Sequence, residues 1–172
     1  MFSGDLIFYP LQGAGIVNAQ EVHEFQGEAQ KYFKVFIPLS KLEILIPHHK
    51  AAELGIRPLS TLDVLDRSRA RFFDPSLPLP ADPAQRRNLL QAKLTTGALT
   101  DEVELIRDLV CADKDTIRFS RHDRYMLQTA CRMLISELMV AEDISYEFAR
   151  QIVEEDIEIR VSGDERYYYR YV

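Results

Sequence analysis

Asp74-Pro75-Ser76-Leu77-Pro78-Leu79-Pro80-Ala81-Asp82-Pro83 carries four prolines in ten residues, and the chain changes character across it. Proline lacks the amide donor and restricts the residue before it, so neither a helix nor a central strand survives that density. The stretch reads as a stiff, extended linker. Upstream the sequence is rich in β signals, and downstream its apolar residues fall at helical spacing.

Upstream, Asp5-Leu6-Ile7-Phe8-Tyr9-Pro10 is a short apolar run closed by proline, and Leu11-Gln12-Gly13-Ala14-Gly15 reads as a turn. Ile16-Val17 opens a second strand running to about Phe25, and Gln26-Gly27-Glu28 makes the next turn. Tyr32 to Pro38 and Leu42 to Pro47 supply two further β-rich runs. Four short strands with tight turns predict a small, strongly bent sheet or an SH3-like barrel. His48 to Ile56 predicts a short helical turn, ended by Gly55-Ile56-Arg57-Pro58. Ser60 to Phe73 has helical spacing through Leu62, Leu65, Ala70 and Phe73.

Downstream, residues 84–95 carry Leu89, Leu90 and Leu94, and Gly97 supplies a stop. Asp101 with Glu104 reads as an N-cap and acidic first turn ahead of Val103, Ile106, Leu109 and Val110. Ser120 is placed to cap a helix bearing Leu127, Ala130, Cys131, Leu134 and Leu138. Ser145 is placed to cap a last one with Phe148, Ile152 and Val153 on one side. The Tyr-rich tail, Ser162 to Tyr171, has β character. The expected fold class is α+β in two domains: a β-rich module over 1–66, a helix end and proline-rich linker over 67–83, and an all-α bundle over 84–172.

At 172 residues, 47% hydrophobic and 28% charged, the chain has ordinary globular composition. No apolar run approaches the roughly 20 residues of a membrane helix, and the start lacks the basic residues of a signal peptide, so a cytoplasmic protein is expected. Cys111 and Cys131 sit in helix-like segments without CxxC spacing and read as reduced core thiols. The net charge of −6 argues against a non-specific nucleic-acid coat. Residues 67–132 nevertheless hold 12 Lys/Arg against 9 Asp/Glu, so only the middle third can offer phosphates a basic face. A solvated helical surface is the plainer reading of that excess.

Catalytic chemistry is not evident. Ser120-Arg121-His122-Asp123 reads as a helix cap, and adjacent His48 and His49 diverge instead of converging on a metal. Gly13 and Gly15 lack the third glycine and the helix of a dinucleotide fingerprint. No catalytic residue, metal site, cofactor or small-molecule substrate is expected, and the chain does not read as an enzyme.

The opening Gly4-Asp5-Leu6-Ile7-Phe8-Tyr9-Pro10-Leu11-Gln12-Gly13-Ala14-Gly15-Ile16-Val17 resembles the start of the CarD/CdnL/transcription-repair coupling factor group. Leu45-Ile46-Pro47 and Gly55-Ile56-Arg57 are similar to the stations that end that module. Lys93-Leu94-Thr95-Thr96-Gly97, Val103 to Leu109, Met126-Leu127, Ile135 to Leu138 and Ala141-Glu142 resemble the helical half of CarD/CdnL proteins. The likeness covers about residues 2–158. It implies a Tudor-like β module that binds the lobe of the RNA polymerase β subunit by pairing an edge strand with it. Leu42, Glu43, Ile44, Leu45, Ile46 and Pro47 are the expected edge. His23 and Leu45 stand where some family members carry polymerase-facing arginines. A strand simply buried in its own barrel explains the same side chains equally well.

The resemblance further implies a helical half that contacts promoter DNA near the upstream edge of the melted region, through basic residues and a tryptophan wedge. This chain has no Trp, and Pro83 stands at the matching position. Arg86 and Arg87 follow it, and Arg121 and Arg124 match another basic station. These four are the expected phosphate contacts, with plain solvent exposure as the alternative. Two readings result. One is a regulator that docks on polymerase and acts on open promoter complexes with weakened DNA contact. The other is a pure protein–protein adaptor using the same β module, favoured by the missing Trp and by the net charge of −6 over residues 133–172.

Overall fold

The computed structural model describes residues 1–25, 27–112 and 117–162. Five antiparallel strands form the N-terminal sheet: β1 (Leu6–Tyr9), β2 (Gly13–Phe25), β3 (Glu28–Ile37), β4 (Leu42–Pro47) and β5 (Arg57–Pro58), in the order β4-β3-β2-β1-β5. Four of these match the expected runs. The two-residue β5, which pairs Ile7 with Pro58 and Phe8 with Arg57, is too short to leave a sequence signal. Gly13 and Gly15 lie within β2, not in a turn ahead of it. Alternation sets the inner face: Phe33, Val35 and Ile37 of β3 point inward with Ile7, Val17 and Ile46. In this order β4 lies at one edge of the sheet and β5 at the other.

Among the described residues five α-helices follow: α1 (Leu62–Ala70), α2 (Pro83–Thr96), α3 (Leu99–Val110), α4 (Arg121–Ala141) and α5 (Tyr146–Val161). Their starts follow capping chemistry. Asp82 accepts from Gln85 N–H ahead of a proline at N1 of α2. Ser120 and Asp123 make a reciprocal capping box on α4, and Ser145 accepts from Phe148 N–H on α5. The expected cap at Asp101 is displaced: α3 begins at Leu99, and Asp101 sits in its first turn, accepting from the Thr96 hydroxyl. Leu90, Leu94, Val103, Ile106, Leu109, Leu127, Leu134 and Leu138 form the bundle core. Cys131 is buried there and unpaired, and Cys111 is half-buried and unpaired.

Two corrections concern the boundary. Leu65 of α1 and Phe72, in the short 3-10 turn after it, are fully buried in the bundle core, so α1 belongs with the helices, ahead of the boundary expected at residue 66. The proline segment holds neither helix nor strand, and it does not join sheet to bundle. It straps one bundle element to another, with Leu77 N–H donating to Asp108 and Leu79 resting on the core. The passage from sheet to bundle is the few residues between β5 and α1. From residue 163 on, the Tyr-rich tail lies outside the described residues.

Sheet and bundle meet over a buried seam. Phe8 of β1, Ala14 of β2 and Met133 of α4 pack as a small apolar cluster. Beside it Ala14 N–H donates to Ser136 Oγ at 2.8 Å, and a Cβ on Gly13, whose φ is +105°, would lie 2.5 Å from that hydroxyl. Arg57 rivets the rim. Its guanidinium forks onto the Glu137 carboxylate with two hydrogen bonds of 2.8 Å, its Nε donates to the Gly97 carbonyl at 2.7 Å, and it stacks 4.3 Å from the Phe8 ring centroid.

Candidate functional site

Among the described residues no strand pairs with the outer edge of β4, which therefore presents backbone groups for another chain. The sequence explains why its inner side is anchored. Ile44 and Ile46 lie opposite Val35 and Phe33, with Ile46 buried in the sheet core. Leu45 and Leu42 are 45% and 53% exposed, so the edge is apolar as well as unpaired. Pro47 ends the strand and is half-buried.

His23, Glu43 and Leu45 share the outward face of the sheet. His23 Nε2 contacts Glu21 Oε2 at 2.8 Å, and its ring meets Tyr32 edge-on at 5.5 Å. Lys34 reaches Glu43 at 3.4 Å and Glu21 at 3.7 Å. The His23 hydrogen bond, aided by Lys34, holds the Glu21 carboxyl below its ordinary range. The face bordering the edge is thus a mixed-charge network, not a basic patch.

The other candidate residues gather where α2 and α4 begin. Arg86 and Asp123, 37 positions apart, are each 1% exposed and pair through two 3.0 Å hydrogen bonds. Arg86 also donates to the carbonyls of Pro80 and Ala81, at 2.7 and 3.1 Å. Burial drives the Asp123 carboxyl up, but Arg86 and Ser120 together outweigh it and leave the group below its usual value. Arg86 was expected on the surface as a phosphate contact. It lies inside, because four acceptors take its guanidinium.

That buried pair clamps the two helix starts together. Around it Pro83, Arg87, Arg121 and Arg124 are all exposed. Tyr125, 60% exposed, adds a ring that the sequence reading passed over, 6.4 Å from the His122 ring. Its signal was available: 121, 124 and 125 fall on one helical face. The end therefore offers three cations and one aromatic ring. Among the described residues no three His, Cys, Asp or Glu side chains are grouped to hold a metal ion, and no helix is long and apolar enough to cross a membrane.

Comparison with known proteins gives a family model over the helical half and a relative over most of the chain. The family model for the CarD C-terminal domain matches residues 72–154, which spans α2, α3 and α4 and most of α5. A protein of Bacillus subtilis (strain 168) named "Putative transcription factor YdeB" is 32% identical over 142 residues. The match covers 83% of this chain and 92% of that relative.

Proposed function

The chain belongs to the CarD/CdnL-type family of transcription regulators, and on that premise we propose that it docks on the RNA polymerase β-subunit lobe and acts on open promoter complexes. The observation that carries this reading is the unpaired, apolar edge of β4. A partner strand added there gains main-chain hydrogen bonds along its length, while Leu42 and Leu45 supply burial. Such pairing asks little of side-chain identity, so His23 and Leu45 are compatible with docking where relatives use arginine.

DNA binding is the weaker arm. With Arg86 engaged internally, Arg87, Arg121 and Arg124 remain to meet phosphates, and each of them adds a salt-dependent increment. Because the β module fixes the chain beside the promoter, modest attractions act at high local concentration. They bias melting only by the difference in their strength between closed and open DNA. The adaptor reading is favoured by that depleted cation set: here the bundle recruits protein instead.

The test is binding of the full chain to a purified polymerase β-lobe fragment. Micromolar or tighter binding is expected, and L42K/L45K, which places charge on the edge without touching the core, lowers it at least tenfold. A wild-type chain that does not bind overturns the docking role. A promoter-bubble fragment separates the two readings. Replacing Arg87, Arg121 and Arg124 with alanine weakens binding and lowers the salt slope by about 0.9 for each phosphate that is no longer neutralised. An unchanged slope leaves the adaptor.

A further inference from the structure

Behind the Arg57–Glu137 rivet lies a carboxyl that nothing in the seam uses. Glu102, in the first turn of α3, is 1% exposed, and neither of its oxygens has a hydrogen-bond partner. The charge of Glu137 on α4 acts on it, and that carboxylate is itself fully buried and already taken by the Arg57 fork and by Ser60 N–H at 2.9 Å. Arg57 of β5 is the cation at the site. Its hydrogen bonds run to Glu137, Gly97, Ser60 and the Pro58 carbonyl. Asp101, beside Glu102 on the same helix, adds a further negative charge.

If Glu102 ionised in place, two dry carboxylates would share one guanidinium, with a third acid nearby. Isolated ions are expensive to bury, and like charges at close range compound the cost. Burial first, and then Glu137, hold the Glu102 proton far above the ordinary carboxylate range, with Arg57 opposing them. In the closed seam the neutral acid is favoured to a pH well above the ordinary carboxylate range.

We propose that Glu102 is a proton-held latch on the joint between sheet and bundle: neutral, it leaves Arg57 to Glu137 and the seam stays shut; ionised, it competes for Arg57 and β5 parts from α4. The proton goes to bulk water as the seam opens and Glu102 is hydrated. The sign follows from linkage. Glu102 holds its proton more tightly in the closed form than in the open one. The closed form is therefore fully favoured below the ordinary glutamate value of 4.5 and loses ground as pH rises above it, up to the raised closed-state value. Within that window the opening equilibrium grows tenfold per pH unit.

Two measurements on the full chain test this. Carboxyl carbon-13 NMR of the wild type follows Glu102 directly, and its midpoint is expected well above the ordinary glutamate range; a midpoint near 4.5 overturns the proposal. Amide hydrogen exchange, corrected for intrinsic base catalysis, reads the joint. Protection at Ala14 and Ser60 is expected to fall about tenfold per pH unit above pH 5. Leu134 and Val153 in the bundle core keep theirs. In E102Q, isosteric and unable to ionise, the fall is absent. An equal fall in E102Q, or an equal fall at the core amides, overturns the latch.

Discussion

At the scale of single residues, neighbouring arginines have opposite fates. Arg86 is enclosed with Asp123, and removing one partner of a buried pair strands the other; Arg86→Ala is expected to cost about 3–5 kcal/mol in urea unfolding. Arg87→Ala, on the exposed side of the same helix, should stay within about 0.5 kcal/mol. Asp123 gives that pair a pH signature. Its carboxyl titrates lower folded than unfolded, so the stability it contributes is present above the ordinary aspartate value of 3.8 and lost as pH falls through the lower folded value. Acid unfolding profiles of the wild type should be steeper in that range than those of Arg86→Ala. Cys131 provides a third residue-level expectation. Burial pushes its thiol up to about 12, so a disulfide reagent at pH 8 should reach it only after unfolding.

At the scale of elements, the chain's local patterns carried far. Runs of β-branched and aromatic residues marked β1 to β4, and serine caps marked α4 and α5, because both signals act within a few residues. The tip of α5 illustrates a limit of periodicity: Phe148 was expected on the packed side, yet it is 53% exposed while Ala149, Val153 and Ile157 are buried. Pairings such as Arg86 with Asp123, or Arg57 with Glu137, join residues 37 and 80 positions apart, and no local rule selects those partners from the chain's other acids. The candidate site was thus half legible: the β4 edge was visible as a strand ending in proline, whereas the burial of Arg86 was not. Tyr125 follows from the assembled element. A ring exposed beside Arg121 and Arg124 suits stacking on an unpaired base, worth about 1–3 kcal/mol. Tyr125→Ala should weaken binding to a melted-bubble fragment by that amount and leave uninterrupted duplex unaffected, as fluorescence anisotropy would read.

At the scale of the whole molecule, the seam sets how β4 and the basic end are oriented relative to each other. Gly13→Ala tests it, since the new methyl meets Ser136 Oγ on a backbone with φ of +105°. A loss of about 1–3 kcal/mol is expected, with earlier exchange of the Ala14 amide than of the bundle core. Because α1 is already seated among the helices before the chain reaches its prolines, the peptide bond ahead of exposed Leu77 is a place where a protease nick should cause no parting of the halves. The two fragments should elute together from a sizing column, held by Leu65 and Phe72. Conversely, a truncation after residue 66 would leave Leu65 uncovered and Arg57 without its carboxylate. Its failure to bind polymerase would speak to a ruined fragment, not to the intact protein.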